Sequence, residues 1–326
     1  MSVVTPVYNG ERYLRECIES VLAQSHQNFE YVIVNNQSKD KTAEIAEEYA
    51  KSDSRVRVHH NRDFLDLIPN WNHAMRQISS ESKYCKVVHA DDTLFPSCLE
   101  SMIELAEENP KVGVVGSYRV LGRSPSPVPA VPLSCAVVPG DEVVRATLRA
   151  EYSLFGSPSS VMIRSDLVRS RDEFYDEDFL HSDKFVCLEL MRDHDFGFVH
   201  EMLTYTRLHD ESQTTELDEV GSRALENLFM LKRLGPEYLP AAEAAQRIRK
   251  AEERCCRFVA RKLLTLEGTD SLQFYRERLR RHGYSFSYGR LAAAALMGLS
   301  SNLLKPSILV GRLGKMLGRL TKNASS

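Results

Sequence analysis

The chain lacks several features that would assign it to a specialised class of protein. No run of about 18 uncharged apolar residues is present, so we expect no membrane-spanning helix. The 7 cysteines show neither metal-ligand spacing nor a secreted disulfide pattern, and their odd number favours a reducing cytoplasm. No basic segment precedes the first predicted strand at Ser2, which argues against a signal peptide. The net charge of −3 gives no reason to expect a nucleic-acid partner.

The pattern of the first two-thirds of the chain predicts an α/β fold. Short apolar segments alternate there with segments of helical spacing. Strands are predicted at 2–5, 29–34, 56–58, 85–88, 112–117, 196–199 and 203–208, and a Gly-Ser-Pro turn followed by a strand is predicted within 154–164. Helices are predicted between them, including one over 13–22 and one over 68–78. Repeated βα units of this kind predict a mostly parallel sheet flanked by helices.

The last third of the chain has a different pattern. From about residue 217 the spacing of apolar residues is helical to the end of the chain. A length of 326 residues accommodates one large domain with an appendage, or two modest domains. We therefore predict an α/β domain over 1–215 and a helical C-terminal region over 216–326.

Two adjacent carboxylates follow the apolar strand at 85–88. Asp91 and Asp92 come directly after this strand, and a helical segment begins after Pro96. Ligands of open α/β sheets bind at the carboxyl ends of the strands. Paired carboxylates at that position suit a hard divalent cation that neutralises a diphosphate. The alternative is a solvated acidic turn that caps the next helix, because aspartate is a common N-cap.

Five ordered motifs across residues 2–212 resemble glycosyltransferase family 2, whose members are inverting enzymes of the GT-A fold. They are Val-Thr-Pro-Val-Tyr-Asn-Gly-Glu at 4–11, Ser-Val-Leu-Ala-Gln-Ser at 20–25, Val-Ile-Val-Asn-Asn-Gln-Ser-Lys-Asp at 32–40, Val-His-Ala-Asp-Asp at 88–92 and Tyr-Thr-Arg-Leu-His-Asp-Glu-Ser at 205–212. Each motif alone is a weak signal, whereas five in the right order and spacing are specific. The resemblance implies a GT-A (Rossmann-like) catalytic domain over 1–215.

The chain departs from the family pattern in two places. Asn35 and Asn36 replace an Asp-Asp pair, one of which typically contacts the base or ribose. An amide offers both a donor and an acceptor, whereas a carboxylate offers only acceptors, so the preferred base is left open. His89 replaces the first Asp of the family's Asp-x-Asp motif, which removes one carboxylate from the metal and ribose corner.

The resemblance implies a role for each matching residue. The implied metal ligands of a Mn²⁺ or Mg²⁺ ion are Asp91, Asp92 and His209. The implied nucleotide contacts are Pro6, Tyr8, Asn9, Asn35, Asn36, Asp91 and Arg207, with Arg62, Trp71 and Asn72 as further candidates. Without the resemblance, His209 and Arg207 read as a loop histidine and a surface strand residue, and Trp71 as a core residue.

The general base that deprotonates the acceptor hydroxyl is the remaining chemical requirement. The family places an aspartate just ahead of a helix in the segment that matches 181–185, so Asp183 is the implied base. Glu177 and Asp178 are rivals, because 175–179 is also acidic and aromatic. The alternative is that Asp183 only caps the following helix.

The end of the chain is basic. No acidic residue follows Glu277, whereas arginine and lysine recur, and leucines repeat at helical intervals within 288–322. A basic amphipathic helix of this kind suggests contact with an anionic membrane surface. The alternatives are a helix packed on the catalytic domain or one that binds a partner.

Together these observations predict a cytoplasmic glycosyltransferase, peripheral on the inner face of the membrane. It would move a sugar from a nucleotide-sugar, expected to be a UDP-sugar, to a glycan or lipid-linked glycan. Two other hypotheses stay open at this point: a catalytically degenerate nucleotide-binding scaffold, and an enzyme that transfers sugar directly onto polyprenyl phosphate.

Overall fold

The computed structural model describes residues 1–125, 131–150, 154–179, 181–208, 221–264 and 270–303. The chain divides into two compact units, Met1–Ser212 and Gln213–Ser326. The catalytic and accessory roles of the predicted regions 1–215 and 216–326 remain proposals.

The first unit is built around one sheet of ten strands. The strands are β1 Ser2–Val7, β2 Glu30–Asn35, β3 Val56–His60, β4 Tyr84–Val87, β5 Thr93–Leu94, β6 Val112–Leu121, β7 Ser124–Pro125, β8 Val137–Val138, β9 Val161–Arg164 and β10 Asp195–Thr206. Their order is β3-β2-β1-β4-β9-β6-β10-β5, with β7 beside β6 and β8 beside β10. The pairs from β3 to β4 are parallel, as is β6 with β10, while β9 lies antiparallel between β4 and β6.

Helices flank this sheet, which confirms the predicted fold class. They are α1 Leu14–Leu22, α2 Thr42–Ser52, α3 Leu67–Met75, α4 Cys98–Glu108, α5 Gly140–Arg149, α6 Ser165–Arg169 and α7 Ser182–Leu190. The predicted apolar face of the first helix is buried, with Leu14, Cys17, Ile18 and Val21 in the main core cluster. This burial stabilises a short helix whose intrinsic propensity alone would be marginal.

The central strand β1 extends further than its sequence suggested. All six of its residues are buried, as expected for a strand covered on both faces. The strand continues through Pro6, where the prediction ended it. Proline is accommodated because the Val88 carbonyl oxygen, the acceptor that an N–H at position 6 would meet, accepts a 2.8 Å hydrogen bond from the Thr5 hydroxyl instead.

Three local boundaries differ from or refine the sequence-based expectation. The predicted strands at 196–199 and 203–208 form one strand, β10, whose pairing with β6 contains register shifts. Such bulges let extra residues enter a strand without ending it. Helix α3 ends at Met75, before the predicted end at Ile78. The predicted turn and strand at 154–164 are confirmed as a 3-10 turn, Pro158–Ser160, followed by β9.

The second unit is helical over its described residues, as predicted. Its helices are α8 Ser222–Tyr238, α9 Ala241–Leu264, α10 Asp270–Arg281 and α11 Tyr288–Leu303. The fully buried Tyr275 donates a hydrogen bond of 2.7 Å to the carbonyl oxygen of Gly221, which links α10 to the residue before α8. Within the described residues, no helix combines the length and apolar character that a membrane span requires.

Candidate active site

The carboxyl ends of β1, β2 and β4 lie at one edge of the sheet because these strands are parallel neighbours. This edge collects the sequence-predicted residues that follow each strand. Tyr8 and Asn9 follow β1, Asn36 follows β2, and Asp91 and Asp92 follow β4. The location is the one where open α/β sheets bind ligands.

Three side chains that follow β4 form the candidate cation site. One ring nitrogen of His89 and one carboxylate oxygen each from Asp91 and Asp92 lie within 4.8 Å of one another. Asp92 is only 1% exposed. Its Oδ2 atom and the Nε2 atom of His89 are buried and find no hydrogen-bond partner among the described residues. Buried atoms of this type normally have a partner, so their geometry fits a bound cation.

Electrostatics at Asp92 are consistent with a site for a positive charge. Burial raises the pKa of the Asp92 carboxyl above its usual range, and the charge of Asp91 raises it further. His89, the Ser159 side chain and a hydrogen bond from the backbone N–H of Arg207 lower this pKa. A cation beside this carboxylate would favour its charged form.

His89 is held firmly in its position. Its backbone N–H donates to Ser159 Oγ at 3.0 Å, and its carbonyl oxygen accepts from the Asp92 N–H at 3.0 Å. Its ring lies against the ring of Trp71, with centroids 5.0 Å apart. Trp71 in turn contacts Tyr175, with ring centroids 5.5 Å apart. The lone tryptophan therefore packs directly beside the candidate site.

A buried lysine supports the turn that carries Ser159. Lys86 of β4 is fully buried, and its Nζ donates to the carbonyl oxygens of Ser159 and Val161 at 2.7 and 3.3 Å. Burial lowers the pKa of its ammonium group. Neither Lys86 nor Ser159 was predicted to serve the site. The one sequence signal for Lys86 was a lysine within an otherwise apolar strand.

Arg207 joins the end of β10 to the carboxylates. Its backbone N–H donates to Asp92 Oδ1 at 3.1 Å, and its Nε donates to the Asp91 carbonyl oxygen at 3.1 Å. The guanidinium lies over the Tyr13 ring, 4.4 Å from its centroid, and pairs with the exposed Glu16. The structure therefore places Arg207 beside the carboxylates. The neighbouring His209 lies outside the described residues.

Asn36 is already engaged within the protein. Its Nδ2 donates to the Leu65 carbonyl oxygen at 2.8 Å, and its Oδ1 accepts from the Leu65 N–H at 3.0 Å and from Asn61 Nδ2 at 2.9 Å. This reciprocal pairing fixes the 61–65 loop against the end of β2. Asn35 hydrogen-bonds His60 Nδ1 at 3.0 Å through Nδ2, and its Oδ1 accepts from the Ser38 N–H at 3.2 Å.

The fixed loop presents an aromatic ring that sequence reasoning missed. Phe64 is 54% exposed and meets Tyr8, 44% exposed, edge-on at a centroid distance of 5.0 Å. Asn9, beside Tyr8, has a φ of 52° and accepts from the Lys39 N–H at 2.9 Å. Asparagine tolerates this left-handed conformation better than most residues. Pro6 is buried, whereas Arg62 is exposed.

Asp183 lies in the first turn of α7, as the sequence suggested. Its side chain is half-buried, whereas Glu177 and Asp178 are exposed. Asp183 lies near enough to Tyr175 to influence it: burial raises the pKa of the Tyr175 hydroxyl, and the charges of Cys187 and Asp183 add to this effect. Asn72 fixes the Tyr175 backbone by accepting its N–H at 2.7 Å and donating to its carbonyl oxygen at 2.8 Å.

The sheet, its flanking helices and the polar residues at its carboxyl edge define an α/β domain of the kind that binds a ligand at that edge. Residues 2–145 match the model of Glycosyl transferase family 2. This match over the first part of the chain confirms the predicted resemblance to glycosyltransferase family 2.

Curated relatives share this domain with the chain. Glycosyltransferase GlyG of Streptococcus pneumoniae is 32% identical over 118 residues, which cover 36% of this chain and 38% of GlyG. The putative teichuronic acid biosynthesis glycosyltransferase TuaG of Bacillus subtilis is 28% identical over 128 residues, covering 39% of this chain and 50% of TuaG. The chain thus spans half or less of the length of these relatives.

Solved structures confirm the fold. S. aureus TarS 1-349 in complex with UDP-GlcNAc aligns with a TM-score of 0.62 and 17% identity, covering 85% of this chain and 79% of that chain. The mannosyltransferase PcManGT from Pyrobaculum calidifontis, in complex with GDP-Man and Mn²⁺, aligns with a TM-score of 0.53 and 16% identity, covering 94% and 81%.

Proposed function

We propose that this protein is an inverting glycosyltransferase that moves a sugar from a UDP-sugar to a hydroxyl group of a glycan or lipid-linked glycan. The observation that carries the proposal is the cluster of His89, Asp91 and Asp92 at the carboxyl edge of a family 2 domain. The complexes of TarS with UDP-GlcNAc and of PcManGT with GDP-Man and Mn²⁺ support a nucleotide-sugar donor. The description of TuaG supports a glycan of the cell envelope as acceptor.

Residues at the edge of the sheet would bind the donor. The exposed rings of Tyr8 and Phe64 offer a surface on which the base can stack. Asn35 ends β2 and Asn9 follows β1, so both lie at the carboxyl edge of the sheet, where the ribose would lie. Asn36 would act indirectly, by fixing the loop that carries Phe64.

The diphosphate would lie between Arg207 and the carboxylate cluster. A Mn²⁺ or Mg²⁺ ion held by Asp91 and Asp92, with His209 as a further predicted ligand, would neutralise the leaving diphosphate as a Lewis acid. The unpartnered Oδ2 of the buried Asp92 fits this role. The guanidinium of Arg207 would exchange its exposed partner Glu16 for a phosphate oxygen, because charge-assisted pairs with phosphate are strong.

Asp183 would act as the general base. Its carboxylate would accept the proton of the acceptor hydroxyl while that oxygen attacks the anomeric carbon opposite the diphosphate. The bond from the anomeric carbon to the diphosphate breaks in the same displacement, which inverts the configuration. The half-buried position of Asp183 at the start of α7 supports this choice over the exposed Glu177 and Asp178.

Product analysis with a panel of nucleotide-sugars tests the proposal. We expect UDP release with one donor and an inverted anomeric centre in the product. Asp183→Asn should reduce turnover by about 100-fold or more while UDP binding is retained, whereas Asp178→Asn should leave turnover nearly unchanged. Full activity of Asp183→Asn would contradict the assignment of the base.

Two other outcomes of the same experiment have a defined meaning. Nucleotide binding without turnover of any donor or acceptor would favour a scaffold that has lost catalysis. Transfer to polyprenyl phosphate alone would identify a phosphate oxygen, rather than a glycan hydroxyl, as the acceptor.

A further inference from the structure

His89 stands where glycosyltransferase family 2 usually has the first aspartate of its Asp-x-Asp motif, and its surroundings point to a function of its own. We propose that His89 is a nitrogen ligand of the metal ion at this site. It shifts the ion preference from Mg²⁺ towards softer first-row ions such as Co²⁺ and Ni²⁺. This inference rests on the proposed function only in assuming that the site binds a divalent cation.

The geometry of the cluster supports a three-residue ligand set. The ligand atoms of His89, Asp91 and Asp92 lie within 4.8 Å of one another. Opposite ligands of a six-coordinate ion, each about 2.1 Å from the metal, are about 4.2 Å apart. Adjacent ligands of such an ion are about 3.0 Å apart, so the three side chains would move closer together by up to about 1.8 Å around an ion, which side-chain rotation can supply.

Two polar atoms of the cluster are buried without a hydrogen-bond partner among the described residues. Asp92 is 1% exposed, and neither its Oδ2 nor the buried Nε2 of His89 has a hydrogen-bond partner among the described residues. A histidine that only packs in a core normally has its ring nitrogens hydrogen-bonded, because burying an unpaired polar atom is unfavourable. One cation between these atoms would satisfy both of them.

The exchange of aspartate for histidine has a clear chemical consequence. An imidazole is neutral and of intermediate softness, whereas a carboxylate is a hard anion. Mg²⁺ prefers oxygen ligands, whereas affinity for nitrogen sites rises from Mn²⁺ through Co²⁺ to Ni²⁺. The site with His89 also carries one negative charge fewer than a site with three carboxylates, which weakens its attraction for a hard ion.

The protein holds the imidazole in a defined orientation. The Trp71 ring lies against it, and the backbone N–H of His89 is fixed by Ser159 Oγ at 3.0 Å. Ser159 itself belongs to the turn held by the buried Lys86. Supporting contacts of this kind orient metal-binding histidines and limit the entropy lost on binding.

Trp71 provides a direct test, because it is the only tryptophan and its ring centroid is 5.0 Å from that of His89. We would titrate the full-length protein with Mg²⁺, Mn²⁺, Co²⁺ and Ni²⁺, following Trp71 fluorescence and, independently, the heat of binding. The wild type should bind Ni²⁺ and Co²⁺ at least about tenfold more tightly than Mg²⁺.

The matched variant is His89→Asp, which restores the carboxylate of the family motif. It should lose about tenfold or more of the Ni²⁺ affinity and gain affinity for Mg²⁺. A ratio of Ni²⁺ affinity to Mg²⁺ affinity that is the same in the wild type and in His89→Asp would overturn the inference, as would a wild type that binds none of the four ions. Asp91→Ala should lower the affinity for every ion. This control shows that the fluorescence and heat signals come from this site.

A separate titration with UDP distinguishes the two proposals. If the protein binds UDP but the ratio of ion affinities is the same in the wild type and in His89→Asp, this inference is wrong and the proposed function is unaffected. If His89→Asp changes the ratio of ion affinities but the protein binds no nucleotide, the result supports His89 as a metal ligand and counts against the proposed function.

Discussion

Buried amide side chains fix the loops of the candidate site. Asn36 pairs with both backbone groups of Leu65, and Asn72 pairs with both backbone groups of Tyr175. Each amide side chain thus gives the N–H and the carbonyl group of one loop residue a hydrogen-bond partner, because it offers both an acceptor and a donor. An aspartate could supply only the acceptor. The Asn-Asn sequence that differs from the family pattern therefore has a structural cause at its second position.

We predict that Asn36→Asp is costly and that Asn35→Asp is tolerated. Asn36 is 3% exposed, and its amide donates to the Leu65 carbonyl oxygen. Asn36→Asp would therefore bury a carboxylate against that oxygen. It should lower the free energy of unfolding by about 2–3 kcal/mol. An aspartate at position 35 would keep the hydrogen bond from the Ser38 N–H and would face the His60 ring rather than a carbonyl oxygen, so Asn35→Asp should cost less, about 1 kcal/mol. Urea unfolding followed by Trp71 fluorescence measures both. Equal losses would contradict this account of Asn36.

The second residue-scale prediction concerns Lys86 and pH. Burial lowers its pKa in the folded protein below the usual value near 10.5. Between these two pKa values the unfolded chain binds more protons, so the stability of the folded protein rises with pH. Lys86→Met removes this contribution. As the pH rises towards 10.5, the free energy of unfolding should therefore rise less steeply in the variant than in the wild type. Parallel curves would show that Lys86 keeps an ordinary pKa.

The sequence predicted a site residue only where the neighbouring residues in the chain were enough to place it in the fold. Asp91 and Asp92 follow an apolar strand, so their place at the sheet edge could be predicted. The roles of Ser159 and Lys86 depend on β9 lying beside β4, which joins residues 73 positions apart. No local pattern carries that information. Phe64 was missed because a single aromatic residue in a polar turn has no periodicity.

At the scale of elements, parallel βα units were predicted well and the rest of the sheet less well. The apolar face of α1 and the strands β1, β2 and β4 follow from local spacing. The antiparallel insertion of β9 and the continuous, bulged β10 do not, because strand partners are chosen by long-range packing. The end of β10 places Arg207 beside Asp91 and Asp92.

The start of α5 packs closely against the segment before β10, and this contact allows a prediction about stability. A Cβ atom on Gly140 would lie 2.1 Å from the His194 carbonyl oxygen and 2.2 Å from that of Met191. Backbone atoms cannot easily move away, so Gly140→Ala should lower the free energy of unfolding by about 3 kcal/mol. Gly197→Ala is the matched control in the same unit. Its Cβ would first meet the flexible end of Leu105, so we expect a loss of about 1 kcal/mol.

Thermal and urea unfolding of both variants check this prediction. A loss for Gly140→Ala no greater than that for Gly197→Ala would mean that the α5 junction adapts, and that it is not a rigid support for β10.

At the scale of the whole molecule, the basic C-terminal segment carries a separate prediction. Residues 304–326 lie outside the described residues, so the argument rests on the sequence. Arg312, Lys315, Arg319 and Lys322 recur among leucines in a segment without acidic residues. Each basic residue near an anionic surface contributes about 1 kcal/mol of attraction.

We expect the full-length protein to sediment with vesicles that contain anionic lipid and to stay in solution with neutral vesicles. Replacing the four basic residues with glutamine should abolish sedimentation, whereas exchanging each arginine for lysine and each lysine for arginine should preserve it. Sedimentation of the glutamine variant at the wild-type level would rule out this segment as the membrane contact.

The central claim is that the edge of the sheet binds a nucleoside diphosphate together with a divalent cation. Isothermal titration of UDP and GDP into the purified protein, with and without Mn²⁺, tests it most directly. The account predicts Mn²⁺-dependent binding of UDP, with weaker binding of GDP, and loss of binding in Asp91→Ala. Failure of the folded wild type to bind either nucleotide, with or without the ion, would contradict it.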